Sequence, residues 1–145
     1  MSRLVPALAI SLMLAACGGA EPPAAVVDDA IVTLPAVPGR PGAAYFILQA
    51  NAENVVLTGI SSPMVGRIEL HATTTHGTMN SMRPLGEIAL GREPVAFEPG
   101  GRHAMLFDID PGIAVGGRLP LTLAFRGAPA VTVEAEVRAP GDVGH

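Results

Sequence analysis

Residues 119–125 read Leu-Pro-Leu-Thr-Leu-Ala-Phe, with a large apolar side chain at every second position. Shortly afterwards, residues 131–137 read Val-Thr-Val-Glu-Ala-Glu-Val and repeat the alternation. Successive side chains of a β-strand point to opposite faces, so each segment presents one apolar face and one more polar face. Both segments therefore predict strands that cover a hydrophobic core with one face only.

The rest of the chain shows a similar pattern. Short apolar or alternating runs are broken by Gly, Pro and Asn about every 8 to 12 residues, which is typical of antiparallel sandwiches and barrels. No segment has a convincing 3.6-residue period of an amphipathic helix. The predicted strands are Ala30–Leu34, Ala44–Gln49, Val55–Ile60, Arg67–Ala72, Glu87–Leu90, Val95–Phe97, His103–Asp108, Leu119–Phe125 and Val131–Val137. A chain of 145 residues has room for one such all-β domain.

Composition excludes several classes of function. The chain is 49% apolar and only 15% charged, which is too hydrophobic for an intrinsically disordered protein. All nine basic residues are Arg, and the formal net charge of -4 leaves no electrostatic footprint for nucleic acid, so no nucleic-acid partner is expected. Cys17 is the single cysteine. It excludes an internal disulfide and any multi-cysteine zinc or iron–sulfur site.

The N-terminal segment has the features of an export signal. Arg3 precedes an apolar run, Leu4–Met13, that is too short to span a bilayer as a permanent helix. The run leads into Leu-Ala-Ala-Cys17, which resembles the cleavage box of bacterial lipoproteins. This resemblance implies that Cys17 is the lipidated first residue of the mature chain. An ordinary signal peptide that is cut nearby is the alternative.

These features predict four regions: a lipoprotein signal peptide at 1–16, the lipidated Cys17 with a flexible tether at 17–29, a β-domain at 30–138 and a short C-terminal tail at 139–145. Acyl chains would anchor the exported domain to a membrane that faces the periplasm, or to the cell surface. Gly18 stands where an aspartate would resemble an inner-membrane retention signal, and this favours the outer membrane.

Candidate metal ligands are concentrated in the middle of the chain. Outside the signal, the methionines and histidines are Met64, His71, His76, Met79, Met82, His103, Met105 and His145. His103 and Met105 are two positions apart in a predicted strand, so their side chains share a face. With His71 and Met82 they form a set of two imidazoles and two thioethers, a soft and neutral set that favours Cu(I). Taken singly, each Met is more often a core filler and each His a hydrogen-bonded residue near a sheet edge.

The spacing of the four residues adds a family resemblance. Ten residues separate His71 from Met82, and twenty separate Met82 from the His103-x-Met105 pair. This pattern resembles the motif of the periplasmic copper chaperones called PCu(A)C. Four flanking segments also resemble that family, and together they extend the resemblance over about residues 30–137: Ala44–Asn51, Ile68–His71, Pro99–Leu106 and Gly117–Phe125. The second gap is one residue shorter than in the family motif, and no Met- and His-rich extension follows the domain beyond the lone His145.

The resemblance implies a cupredoxin-like antiparallel β-sandwich or Greek-key barrel. It implies a copper chaperone, not an enzyme, that binds Cu(I) through His71, Met82, His103 and Met105. It further implies delivery of the copper ion toward cytochrome c oxidase assembly, either directly to the CuA site of subunit II or through a partner copper chaperone. His76 and Met79 are candidate auxiliary metal ligands in a polar segment, for which simple loop solvation is the alternative.

Other functions fit the sequence less well. A blue-copper electron carrier needs a cysteine thiolate beside two histidines, and the only cysteine lies at the processing site. An enzyme would use Ser81 with His76, or a zinc ion held by His71, His76 and His103. The sequence contains neither a Gly-x-Ser-x-Gly elbow nor a His-Glu-x-x-His helix motif, and a zinc site leaves the methionines unexplained.

The remaining alternative is a metal-free, lipid-anchored β-sandwich that binds another protein. It predicts that the four candidate ligands are scattered over the fold. The copper hypothesis predicts that they converge at one end of the sandwich.

Overall fold

The computed structural model describes residues 18–144, so Cys17, the predicted signal peptide and His145 lie outside the described residues. Within this range the chain forms ten β-strands and no helix, which confirms the all-β prediction. No helix in the described range is therefore long and apolar enough to cross a membrane. The strands are β1 (Ala25–Thr33), β2 (Gly42–Ala50), β3 (Val55–Ser61), β4 (Val65–His76), β5 (Met79–Pro84), β6 (Ile88–Leu90), β7 (Val95–Phe97), β8 (Arg102–Ile109), β9 (Arg118–Arg126) and β10 (Val131–Arg138).

The strands follow one hydrogen-bonded path in the order β5-β4-β8-β2-β1-β10-β9-β3-β6, and β7 pairs with β2. Strand β1 joins the two halves of this path. It runs antiparallel to β2 and parallel to β10, where Ile31 faces Glu136 and Thr33 faces Arg138. The sheet is therefore mixed, whereas the sequence predicted antiparallel pairing throughout. The two halves fold over one another around a shared core.

The core is built from alternate positions of the strands, as the sequence predicted. Leu119, Leu121 and Leu123 of β9 have no exposed surface. They pack in the same cluster as Phe46 and Leu106, which come from the opposite half of the path. Burying each such side chain stabilises the fold by about 1.5–3 kcal/mol relative to leaving it exposed. Burial of these inner faces fixes which side of β8 is turned outward.

Two differences from the predicted strands exceed one or two residues at a strand end. Strand β1 begins at Ala25 rather than Ala30, so Ala25–Asp28, which the sequence placed in the tether, pair with β2. A bulge between Asp28 and Ile31 interrupts this pairing, and Asp29 has a φ of 52°. Such a bulge breaks the regular alternation of side chains. The sequence pattern therefore predicted only the later part of β1.

The second difference is a β-hairpin that includes the polar segment Thr73–Ser81, which lay outside the predicted strands. Strand β4 continues to His76, and β5 returns from Met79 after a two-residue turn in which Gly77 has a φ of 63°. Glycine adopts this conformation without steric cost. Every residue of β5 is exposed, so no apolar alternation marks it. Cross-strand pairing and side-chain hydrogen bonds, such as Thr75 Oγ1 to Asn80 Oδ1 at 2.8 Å, hold it to β4.

Candidate metal centre

Strands β4 and β8 place both candidate histidines side by side. His71 lies directly opposite His103 in the antiparallel register, and facing residues of such a pair project from the same face of the sheet. The two imidazole ring centroids are 6.2 Å apart. Met105 is two positions beyond His103 and opposite Glu69, so it shares this face. The face is the outer one, because Ala104 and Leu106 point into the core.

Strand β5 adds Met82 to the same face. Met82 lies opposite Thr73, which is two positions beyond His71 on β4. The alternation of β4 therefore puts Met82 on the outer face with His71. Met82 is 58% exposed, since β5 is the edge strand of the sheet. Among the four candidate ligands, it is the one most open to an approaching molecule.

Three of the four candidate ligands line one open groove of about 270 Å³. Met82, His103 and Met105 form part of its wall, together with Tyr45 of β2 and Pro99 in the turn before β8. His71 is not part of the groove lining, although its ring stands beside the ring of His103. The groove thus collects one imidazole and two thioethers, and the second imidazole adjoins it.

His103 is buried and has a defined hydrogen bond. Its Nδ1 lies 3.1 Å from the carbonyl oxygen of Gly101. A carbonyl oxygen only accepts hydrogen bonds, so Nδ1 carries the proton and Nε2 keeps a free lone pair. The same oxygen accepts a bond from the backbone N–H of Thr73 at 3.0 Å. One carbonyl group therefore orients His103 and fixes β4 beside the turn that precedes β8.

His71 is bonded to a carboxylate on its own strand. Its Nε2 lies 3.1 Å from Oε2 of Glu69, and Nε of Arg67 lies 2.7 Å from Oε1 of Glu69. The hydrogen bond from His71, together with the charge and hydrogen bond of Arg67, lowers the pKa of the Glu69 carboxyl group. Arg67 in turn lies over the ring of Phe107, 4.2 Å from the guanidinium carbon to the ring centroid.

The candidate side chains on this face are of the types that bind soft metal ions. Imidazole nitrogen and thioether sulfur suit Cu(I), whereas Mg²⁺ and Ca²⁺ require oxygen ligands. Within residues 18–144, no three His, Cys, Asp or Glu side chains are grouped so that they could hold a metal ion. The zinc site considered for His71, His76 and His103 is therefore absent from the described residues.

Comparison with known proteins places the chain in a family. The model of the LpqE-like lipoprotein family matches residues 25–137, which is most of the chain. This protein is a member of the LpqE-like family. The match begins at the first residue of β1. A relative from Rickettsia prowazekii, the uncharacterized protein RP573, is 33% identical over 86 residues, which are 57% of this chain and 48% of that protein. The LpqE-like chain thus spans about half the length of the curated relative it matches.

Solved structures of PCuAC domains share the fold of this LpqE-like protein. The apo PCuAC domain of PmoF2 is 25% identical with a TM-score of 0.67, and it covers 81% of this chain and 91% of that domain. The copper-bound domain of PmoF2 is 24% identical with a TM-score of 0.66, over 80% of this chain and 93% of that domain. Apo-DR1885 from Deinococcus radiodurans is 22% identical with a TM-score of 0.54, over the full length of both chains. The cupredoxin-like fold and the resemblance to PCu(A)C domains are confirmed.

The two auxiliary candidates of the LpqE-like chain lie away from this face. His76 and Met79 oppose each other beside the turn of the β4–β5 hairpin. His76 is five positions from His71, so strand alternation directs it to the other face, and about 3.3 Å per residue separates the two by about 17 Å. Met79 is 75% exposed. The structure therefore does not bring this pair to the four central candidates.

Two residues of the outer face escaped the sequence analysis. Glu69 holds His71, and its position two residues before His71 in a predicted strand was the available signal. Tyr45 lines the groove, and partial burial raises the pKa of its hydroxyl group. Nothing in the chain order relates Tyr45 to His103, because the pairing of β2 with β8 is long-range.

Proposed function

We propose that this LpqE-like protein is an extracytoplasmic metallochaperone for Cu(I), and that His71, Met82, His103 and Met105 bind the ion. The observation that carries the proposal is the register of β4, β5 and β8. It puts two imidazoles and two thioethers on one outer face, and three of these side chains line one groove. A metal-free protein-binding module would not require soft ligands to be collected in this way.

The ligand chemistry supports Cu(I) as the cargo. Four neutral ligands suit a singly charged soft ion, which needs no anionic partner. Both oxygens of Glu69, the carboxylate bonded to His71, are engaged by Arg67 and His71. A structural relative, the PCuAC domain of PmoF2, was solved with copper bound. Thioethers also tolerate an oxidising compartment in which exposed thiols are consumed.

The exposure of the ligands supports a carrier over a permanent copper protein. His103 is 8% exposed, whereas Met82 on the edge strand is 58% exposed. A receiving protein can therefore displace the thioether of Met82 first, while His103 still holds the ion. Transfer by stepwise ligand exchange needs such an accessible first ligand.

Membership of the LpqE-like lipoprotein family supports a lipid-anchored carrier at a membrane. In our proposal, acyl chains on Cys17 anchor it there, facing the periplasm, with the outer membrane favoured by Gly18. The proposed recipient is the CuA site of cytochrome c oxidase subunit II, reached directly or through a partner copper chaperone. This recipient is the one that the resemblance to PCu(A)C chaperones implies.

A Cu(I) competition titration tests the proposal. The purified full-length protein competes with a chromophoric chelator under reducing, anaerobic conditions, alongside His103→Ala, Met105→Leu and Met64→Leu. Met64 precedes β4 and lines a different cleft, so its replacement is the matched methionine control. We expect one equivalent of Cu(I) in the parent and in Met64→Leu. Replacing a residue that only hydrogen-bonds to a metal ligand typically weakens metal binding by about 10–100-fold. Loss of a ligand itself should weaken Cu(I) binding by more than this.

Two results would overturn the proposal. If the parent retains no Cu(I) against a weak chelator, the protein is not a copper carrier, and the metal-free binding module becomes the better hypothesis. If copper is retained equally by His103→Ala and Met105→Leu, the ion is bound elsewhere on the chain.

A further inference from the structure

A chain of contacts runs along the outer face of β4 and ends at His71. Phe107 lies opposite Arg67 and stacks under its guanidinium group. Arg67 binds one oxygen of Glu69, and the other oxygen of Glu69 is 3.1 Å from Nε2 of His71. Arg67, Glu69 and His71 occupy every second position of β4, so their side chains share one face. The imidazole of His71 is thus held from outside the groove.

The direction of the last hydrogen bond follows from its acceptor. An ionised carboxylate only accepts hydrogen bonds, and the ion pair of Arg67 with the other oxygen of Glu69 marks this group as the carboxylate. The proton of the bond must therefore reside on Nε2 of His71. A neutral imidazole carries a single N–H, so the free lone pair of His71 is on Nδ1. For His103 the arrangement is reversed, because its Nδ1 donates to Gly101.

We propose that Glu69 is a positioning residue that fixes the tautomer of His71, so that His71 binds Cu(I) through Nδ1 while His103 binds it through Nε2. This inference rests on the proposed copper function. Carboxylates commonly hold metal-binding histidines in this way, by accepting the proton of the ring nitrogen that does not bind the metal. Arg67 completes the arrangement, because its ion pair offsets the charge of Glu69 and keeps the carboxylate from becoming a ligand itself.

The first test reads the ring nitrogens directly. Long-range ¹H–¹⁵N spectra of the ¹⁵N-labelled full-length protein are recorded at about pH 8, where imidazoles are generally neutral, with and without one equivalent of Cu(I). The four histidines are assigned by single substitution. Before copper is added, we expect a protonated Nε2 in His71 and a protonated Nδ1 in His103. Copper should then shift Nδ1 of His71 and Nε2 of His103.

The same spectra distinguish an error about the ring nitrogen of His71 from an error about copper binding itself. If Cu(I) shifts Nε2 of His71, the bond to Glu69 breaks on loading and the inference is overturned, while the copper site stands. If no ring nitrogen shifts and no copper is retained, the copper function itself has failed.

The second test removes the acceptor while retaining the size of the side chain. Glu69→Gln keeps an amide oxygen that accepts from Nε2, whereas Glu69→Leu removes it. Glu87 forms a comparable exposed ion pair with Arg126 and does not line the groove, so Glu87→Leu is the matched control. We expect Glu69→Leu to show both tautomers of His71 and to bind Cu(I) about 10–100-fold more weakly. Glu69→Gln and Glu87→Leu should keep one tautomer and most of the affinity.

An unchanged tautomer of His71 in Glu69→Leu overturns the inference, whatever happens to the affinity. The side chain of Glu69 is 41% exposed, so its replacement leaves the core intact. A thermal unfolding curve for each variant verifies this.

Discussion

The two faces of strand β8 differ in chemistry although they alternate residue by residue. Ala104 and Leu106 point inward and have no exposed surface, whereas His103 and Met105 point outward toward the groove. The inner face stabilises the sandwich by burial of apolar surface. On the outer face, His103 and Met105 are the proposed ligands, and both lie outside the hydrophobic cluster. Strand alternation thus lets one segment of eight residues serve folding and the proposed copper binding through separate side chains.

The largest effect should come from the inner face. Leu106→Ala removes a fully buried side chain and should lower the free energy of unfolding by about 2–5 kcal/mol, from lost transfer energy and the cavity left behind. Urea unfolding measures the loss. The neighbouring Met105→Ala is the control, and it should cost clearly less because Met105 is partly exposed. Equal losses for the two variants would break the distinction between the faces.

The next effect is a loss of copper binding with little change in the free energy of unfolding. Met82→Leu nearly preserves volume at an exposed edge position, so the free energy of unfolding should change by no more than about 0.5 kcal/mol. Copper retention should fall, because leucine has no sulfur to bind Cu(I). Urea unfolding and the chelator titration on the same preparation separate the two quantities. A variant that unfolds readily yet still holds copper would show that Met82 is a structural residue.

The smallest effect should come from an exposed ion pair that belongs to neither face of β8. The hydrogen bond and charge of Arg126 lower the pKa of the Glu87 carboxyl group below its ordinary value. A carboxyl group with a lowered pKa in the folded state adds stability above its unfolded pKa, and that stability is lost as the pH falls through the folded value. Glu87→Gln should therefore remove a small, acid-sensitive part of the free energy of unfolding.

The measurement for this pair is a series of urea unfolding curves from about pH 7 to about pH 3. The difference between the parent and Glu87→Gln should shrink toward acid pH. A difference that stays constant over this range would mean that the carboxylate acts through packing instead of charge.

The sequence predicted the strands that have a buried face and missed the one that has none. Alternation marked β9 and β10, because their inner residues must be apolar to fill the core. Strand β5 is exposed throughout, so burial imposes no pattern on it. The start of β1 was missed because the bulge after Asp28 breaks the alternation.

The site was predictable in composition and less so in arrangement. The i, i+2 spacing put His103 and Met105 on one face from the sequence alone. The position of Met82 depends on its register opposite Thr73, which is set by the turn at Gly77. His76 was a reasonable candidate by residue type, but an odd separation from His71 along one strand directs it to the other face. An odd or even separation shows which face a residue occupies only when one strand is known to extend through both residues.

The most direct test of the proposed copper site is the copper K-edge X-ray absorption spectrum of the full-length protein with one equivalent of Cu(I). The proposed site predicts a copper ion surrounded by both imidazole nitrogen and thioether sulfur, with the sulfur contribution lost in the double variant Met82→Leu/Met105→Leu. Sulfur that persists in the double variant, or a copper ion surrounded only by nitrogen and oxygen in the parent, would contradict it.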